Sequence, residues 1–174
     1  MLLRRKIAIA VCATALTAPV LSSCGFDYAT DQPYTQGAGT NDHDTDLDVV
    51  AAVVVAGQDD SGTFVAGLAN NVDEPITFSG LTGPDAGAEF DPIEVPANGY
   101  VNLADEDVYV TGTFAAGDVL DLTVETEDGT SIALEVPVVT NCDEFAGFDT
   151  SAEGEAESED PAYSCEYAEA EGDH

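Results

Sequence analysis

The chain has 174 residues, with 35 Asp and Glu against only three Lys and Arg, a formal charge of −32 with neutral His. So acidic a chain has nothing with which to neutralise phosphates, which excludes nucleic acid as a partner, and it cannot dock electrostatically on an anionic lipid surface. Hydrophobic residues make up 44% of the sequence, enough for a folded core.

All three basic residues stand at the start: Arg4, Arg5 and Lys6. An uncharged run from Ile7 to Leu21 follows, then the small residues Ser22 and Ser23, then Cys24. Positive, apolar and small segments in this order read as a secretory signal peptide over 1–23. The apolar run is short of the ~20 residues a spanning helix needs. Leu21-Ser22-Ser23-Cys24 resembles the lipobox of bacterial lipoproteins. That resemblance implies a diacylglyceryl group on the Cys24 thiol, cleavage just before it, and a mature chain held at the outer face of the cytoplasmic membrane by its acyl chains. An ordinary signal peptide with a chance Cys is the alternative. Removing 23 of 174 residues leaves 151, with 35 acids and no Lys or Arg. Lipid is then the only route to the bilayer, and no Lys or Arg ion pair is available to the mature fold. The acidity reads as a solubilising coat or, alternatively, as a divalent-cation site.

Residues 24–47 read as a flexible tether, with Pro33, Gly37, Gly39 and no apolar periodicity. Its end, Asp42-His43-Asp44-Thr45-Asp46-Leu47-Asp48, places oxygens at alternate positions, as at the start of a calcium loop. The expected loop Gly is Leu47 and the expected Glu is Val53, so Asp42, Asp44, Asp46 and Asp48 are weak calcium candidates. No other cofactor is expected.

Residues 48–139 read as short strands broken by turns. Val49–Ala56 is a nearly continuous apolar run, as in a strand covered on both faces. Asp59–Gly62 is a turn and Thr63–Ala69 a strand. Ile76, Phe78 and Leu81 mark a third strand, and Gly83–Ala88 a loop. Phe90–Val95, Tyr100–Leu103 and Val108–Thr113 follow. Asp118–Glu125 and Ile132–Val139 flank Glu127-Asp128-Gly129, where Asp-Gly suits a type I′ hairpin turn. These seven or eight strands predict an all-β sandwich. Residues 140–174 form an acidic tail, 12 of whose 35 residues are Asp or Glu. Cys142 and Cys165 are an even pair in an exported chain and are expected to bridge, closing a loop of about 24 residues worth ~3–4 kcal/mol. Phe145, Phe148, Tyr163 and Tyr167 are the side chains available for docking, and Ser151–Pro161 is expected to be mobile.

Three stretches carry a wider resemblance: Gly62–Asn71, Ile93–Leu103 with its Val-Pro-Ala-Asn-Gly turn, and Ala116–Val124 with its Gly-Asp strand entry. Together with Val136-Pro137-Val138 they resemble the secreted copper chaperones of the PCu(A)C type and their lipoprotein relatives in high-GC Gram-positive bacteria. The resemblance implies a cupredoxin-like, immunoglobulin-like barrel or sandwich. It also implies a copper site of two His and two Met, and here the sequence departs. Met1 is the only Met, and the two His, His43 and His174, lie outside the domain. Aligned through Gly112, the family's His-x-Met pair falls on Asp107 and Tyr109. The region of its other ligands, between Leu81 and Ile93, offers Asp85, Glu89 and Asp91. A carboxylate and phenol set is a poor match for Cu(I).

Catalysis finds little support, a carboxylate-only metal hydrolase being the one form left open. The domain has no His for a nucleophile's base, no Lys, and no Gly-rich phosphate loop. The sequence thus points to a non-enzymatic, lipid-anchored extracytoplasmic binding module with an unidentified protein or cation partner. A metal-handling lipoprotein with an altered, carboxylate-based site is the alternative.

Overall fold

The computed structural model describes residues 39–151 and 160–165. The expected signal peptide, Cys24 and residues 24–38 of the tether lie outside the described residues, as do Ser151–Pro161 in large part, Tyr167 and His174. Ten strands follow in chain order: β1 (Thr40–Asp42), β2 (Leu47–Gln58), β3 (Ser61–Asn70), β4 (Ile76–Thr82), β5 (Ala86–Ala88), β6 (Ile93–Val95), β7 (Tyr100–Asn102), β8 (Tyr109–Gly112), β9 (Val119–Thr126) and β10 (Ser131–Thr140). Among the described residues no helix is long and apolar enough to cross a membrane.

Seven strands close on themselves in the order β2-β10-β9-β4-β5-β8-β3, and β3 returns to β2. Every pairing in the ring is antiparallel except β10 with β2. Closure removes the exposed edges that an open sheet carries. The short strands β1, β6 and β7 lie outside the ring, on β2, β4 and β3. The expected all-β sandwich is therefore a closed β-barrel with flanking strands, a sandwich-like packing in which one core serves the whole ring. Phe64, Phe78, Leu68, Leu81, Leu103 and Leu122 fill it, each wholly buried and each contributing ~1.5–3 kcal/mol.

β2 explains its own apolar run. Val53, Val54, Val55 and Ala56 are all buried, yet only Val54 and Ala56 belong to the barrel core. Val55 pairs across β3 with Thr63, so both point to the outer face. The C-terminal segment lies on that side, since Asp149 takes the Thr63 hydroxyl at 3.1 Å. The second layer expected over this strand comes from the tail. A bulge at Ala51, with φ of +54°, offsets the register between Val50 and Val53, and the Ala51 amide donates to Asn41 Oδ1 at 2.7 Å.

Several boundaries differ from the sequence reading. β1 and the start of β2 lie inside the expected tether, so the folded sheet begins by Thr40 rather than Asp48. The β2–β3 turn is Asp59-Asp60 alone; Ser61 and Gly62 are already strand. Gly62 is required there because a Cβ would sit 2.6 Å from the Val55 carbonyl oxygen. The Asp128-Gly129 turn is not type I′. Only Gly129 has positive φ (+91°), with Gly129 N donating to the Thr126 carbonyl and Thr126 N to that of Thr130. A three-residue loop with Gly at the left-handed position results, and Asp128 keeps negative φ because its carboxylate turns back to the Thr130 amide at 3.0 Å. Phe90–Val95 shortens to Ile93–Val95, Phe90 instead stacking on Phe78 with ring centroids 4.6 Å apart.

Candidate functional site

Two sequence segments singled out by the copper-chaperone resemblance meet in one place. Ala86–Ala88 forms β5, where a loop was expected, and pairs with β8 through Gly87↔Thr111 and Ala88↔Val110. Continuing that register sets Glu89 beside Tyr109. Both line a surface cleft of about 520 Å³ together with Thr82, Gly87 and Thr111. Gly112 makes the close approach of β8 to β5 possible: a Cβ there would lie 2.2 Å from the Asp85 carbonyl oxygen and 2.6 Å from the Ala86 Cα.

The Tyr109 hydroxyl donates to Asp107 Oδ1 at 2.8 Å. That bond is the main reason the phenol is held above its ordinary pKa; a bond with the Thr150 side chain acts the other way. Tyr109 thus remains a neutral phenol rather than a phenolate ligand. The polar side chains that line the cleft, Glu89, Tyr109, Thr82 and Thr111, all carry oxygen, and Asp107, bonded to the Tyr109 hydroxyl, is not itself a lining residue. Neither Met nor His stands among them, so the set does not suit Cu(I), which prefers sulfur and imidazole. Asp85 and Asp91, the other acids of the segment, do not line this cleft.

The four calcium candidates do not converge. Asp42 ends β1, takes the Asp44 amide at 3.2 Å, and lines a cleft with Asp121 and Glu135. Asp46 lines a different cleft with Asp128. Asp48 lies in β2 and meets His43 Nδ1 at 3.1 Å. Its carboxyl is held below the ordinary value first by a hydrogen bond from the Asn71 side chain, then by one from His43. Among the described residues this His–Asp contact is the one ion pair, and no three His, Cys, Asp or Glu side chains gather as a metal-holding group.

The tail holds the polar cluster that sequence reasoning missed. Cys142 and Cys165 are bridged, with S–S of 2.02 Å. Between them Asp149 is only 3% exposed. Its carboxylate accepts from Gly57 N at 2.8 Å, the Thr63 hydroxyl at 3.1 Å, Ser151 N at 3.1 Å and the Ser151 hydroxyl at 2.7 Å. Four donors satisfy a charge that burial would otherwise penalise. Thr150 N donates to Thr63 Oγ1 at 3.0 Å, which sets Thr150 against Tyr109. Further on, Tyr163 is buried: its hydroxyl donates to Asp59 at 2.6 Å and accepts from Ala116 N at 3.0 Å. Only its aromatic character marked Tyr163 beforehand; nothing in the sequence marked Asp149 among 12 tail acids.

No family model matches the chain, and no curated protein matches it. Solved structures do resemble it. The apo PCuAC domain from PmoF1 aligns with a TM-score of 0.50 at 18% identity, over 58% of this chain and 99% of that domain. The copper-bound PCuAC domain from PmoF2 (TM-score 0.49, 14% identity, 58% and 98% covered) and apo-DR1885 from Deinococcus radiodurans (0.45, 20%, 65% and 90%) also align. At such identities the likeness is one of fold, and the chain has the fold of a PCuAC domain.

Proposed function

We propose that the mature chain is a copper-chaperone-related lipoprotein, held by acyl chains on Cys24 at the outer face of the cytoplasmic membrane, whose soft-ligand site has been exchanged for an oxygen-lined cleft. The cargo would be a hard, oxygen-seeking cation such as Ca²⁺ rather than Cu(I). What supports this reading is that Glu89 and Tyr109 line one cleft on a PCuAC fold, with Asp107 bonded to Tyr109, in the two segments where the sequence resemblance sets the family's ligands. The surrounding negative charge concentrates cations near the cleft. One lining carboxylate, a second carboxylate bonded to the Tyr109 hydroxyl and neutral hydroxyls make an open, weak site, with affinity on the order of 10⁻⁴–10⁻³ M, as in extracellular calcium modules. Such a site loads and unloads freely.

A second reading, a module that binds a protein partner without metal, is favoured by the lack of any three-residue metal-holding group among the described residues. Isothermal titration with Ca²⁺ in 150 mM NaCl separates the two. The cation reading predicts a saturable site that Glu89→Gln abolishes and Glu135→Gln, in a different cleft, leaves intact. Equal loss in both variants would mean diffuse counterion binding and would leave the partner-binding reading.

A further inference from the structure

We propose that the Cys142–Cys165 disulfide is a reducible clasp: a dithiol reductant opens it at Cys165, and opening releases Pro161–Tyr163 from the end of the barrel. The two sulfurs are unequally placed. Cys142 is 4% exposed, two residues after β10, whereas Cys165 is exposed. Access decides which sulfur of a disulfide is attacked. An incoming thiolate attacks Cys165 Sγ and forms a mixed disulfide, and Cys142 departs as thiolate and takes up a proton. The reductant's second thiol then displaces Cys165 as a thiol, so two electrons pass from the dithiol to the protein.

What the clasp holds is small. The short turn Pro161–Tyr163 docks through one side chain, the Tyr163 ring against the core, with its hydroxyl between Asp59 and Ala116 N. Neighbouring Pro161, Ala162 and Ser164 are exposed and add no apolar burial. The barrel closes through its own ladders and does not depend on this arm. Asp149 has its own anchor on Gly57 and Thr63. Reduction therefore frees the distal arm alone, and uncovers the Asp59 carboxylate, the Ala116 amide and the apolar surface beneath the ring. Segments held by few buried contacts open independently of the core.

The test uses the lipid-free mature chain, oxidised or reduced with dithiothreitol and capped with iodoacetamide. Chymotrypsin cleavage after Tyr163 and hydrogen exchange over 160–165 are followed by mass. Cleavage is expected to accelerate about tenfold or more on reduction while barrel amides keep their protection. Unchanged cleavage, or barrel amides losing protection in step with the arm, overturns the proposal. Brief exposure to glutathione is expected to trap the mixed disulfide on Cys165; trapping on Cys142 overturns the order of attack. Tyr163→Phe, which keeps the ring and removes both hydrogen bonds, is expected to stay closed when oxidised. If it opens as far as the reduced protein does, the hydroxyl and not the disulfide is the clasp, and the proposal fails.

Discussion

Replacing Asp149 by Ala tests whether the tail is part of the folded domain. The carboxylate has four donors, but Ser151 N and its hydroxyl are local and turn to water once the segment loosens. Gly57 N and the Thr63 hydroxyl are the donors that join the tail to β2 and β3, at 2.8 and 3.1 Å. Hydrogen bonds to a charged group are worth about 1.5–3 kcal/mol each, so removing both costs about 3–6 kcal/mol if the segment stays in place. Detachment of residues 147–151 limits the loss to ~2–3 kcal/mol, because water then reaches the two donors. Asp149→Asn keeps an acceptor oxygen and should lose about half as much as Asp149→Ala. Urea unfolding of oxidised protein, followed by far-ultraviolet circular dichroism since the chain has no Trp, gives both values. A loss below ~1 kcal/mol for Asp149→Ala would refute the argument, because a buried charge with two long-range donors cannot be that cheap to remove.

Further outcomes follow from the same contacts. Gly112→Ala should cost about 1–3 kcal/mol or more in urea unfolding, since the clash is with backbone atoms of β5 that cannot swing away. Tyr163 titrates at about 12 against 10.0 for a free phenol, raised chiefly by burial and then by Asp59. Its contribution is fully present below pH 10 and is lost as pH rises through 12, because the unfolded chain releases that proton first. A phenolate absorbance titration should show this late proton in the wild type and its absence in Tyr163→Phe. Added NaCl should move the urea midpoint upward by screening the repulsion among acids; a downward shift would contradict the self-repulsion argument.

The barrel was legible wherever alternation and turn residues coincided. β3, β9 and β10 match their expected limits within two residues, because Phe64, Leu68, Leu122, Leu134 and their alternates carry a period-2 signal. β5 was not legible. Ala86-Gly87-Ala88 has neither bulk nor β-branched side chains, and it is strand because Gly112 lets β8 come close. The same strand leads Glu89 to Tyr109, so the cleft was hidden although Glu89 and Tyr109 had both been noted from the resemblance. β1 was hidden similarly: Thr40-Asn41-Asp42 looks like linker, yet Thr40 reaches the Glu135 carbonyl and Asn41 satisfies the bulge at Ala51. The disulfide was legible because, of four cysteines, Cys12 falls in the expected signal peptide and Cys24 at the expected lipidation site, which leaves Cys142 and Cys165 as a pair. Asp149 could not be found, because its burial follows from where the disulfide and the Asn141 side chain turn the chain, and Asn141 Oδ1 does this by accepting Gly147 N at 2.7 Å.

The central claim, an oxygen-lined cleft in place of a soft-metal site on a PCuAC fold, is tested most directly by native mass measurement. The lipid-free mature chain is equilibrated with equal excesses of Ca²⁺ and of Cu(I) held by a weak ligand, and bound ions are counted at rising ionic strength. One Ca²⁺ per chain is expected at millimolar free Ca²⁺ and moderate ionic strength, lost in Glu89→Gln and kept in Glu135→Gln, with no Cu(I). One Cu(I) retained per chain, undiminished in Glu89→Gln and Tyr109→Phe, would contradict it.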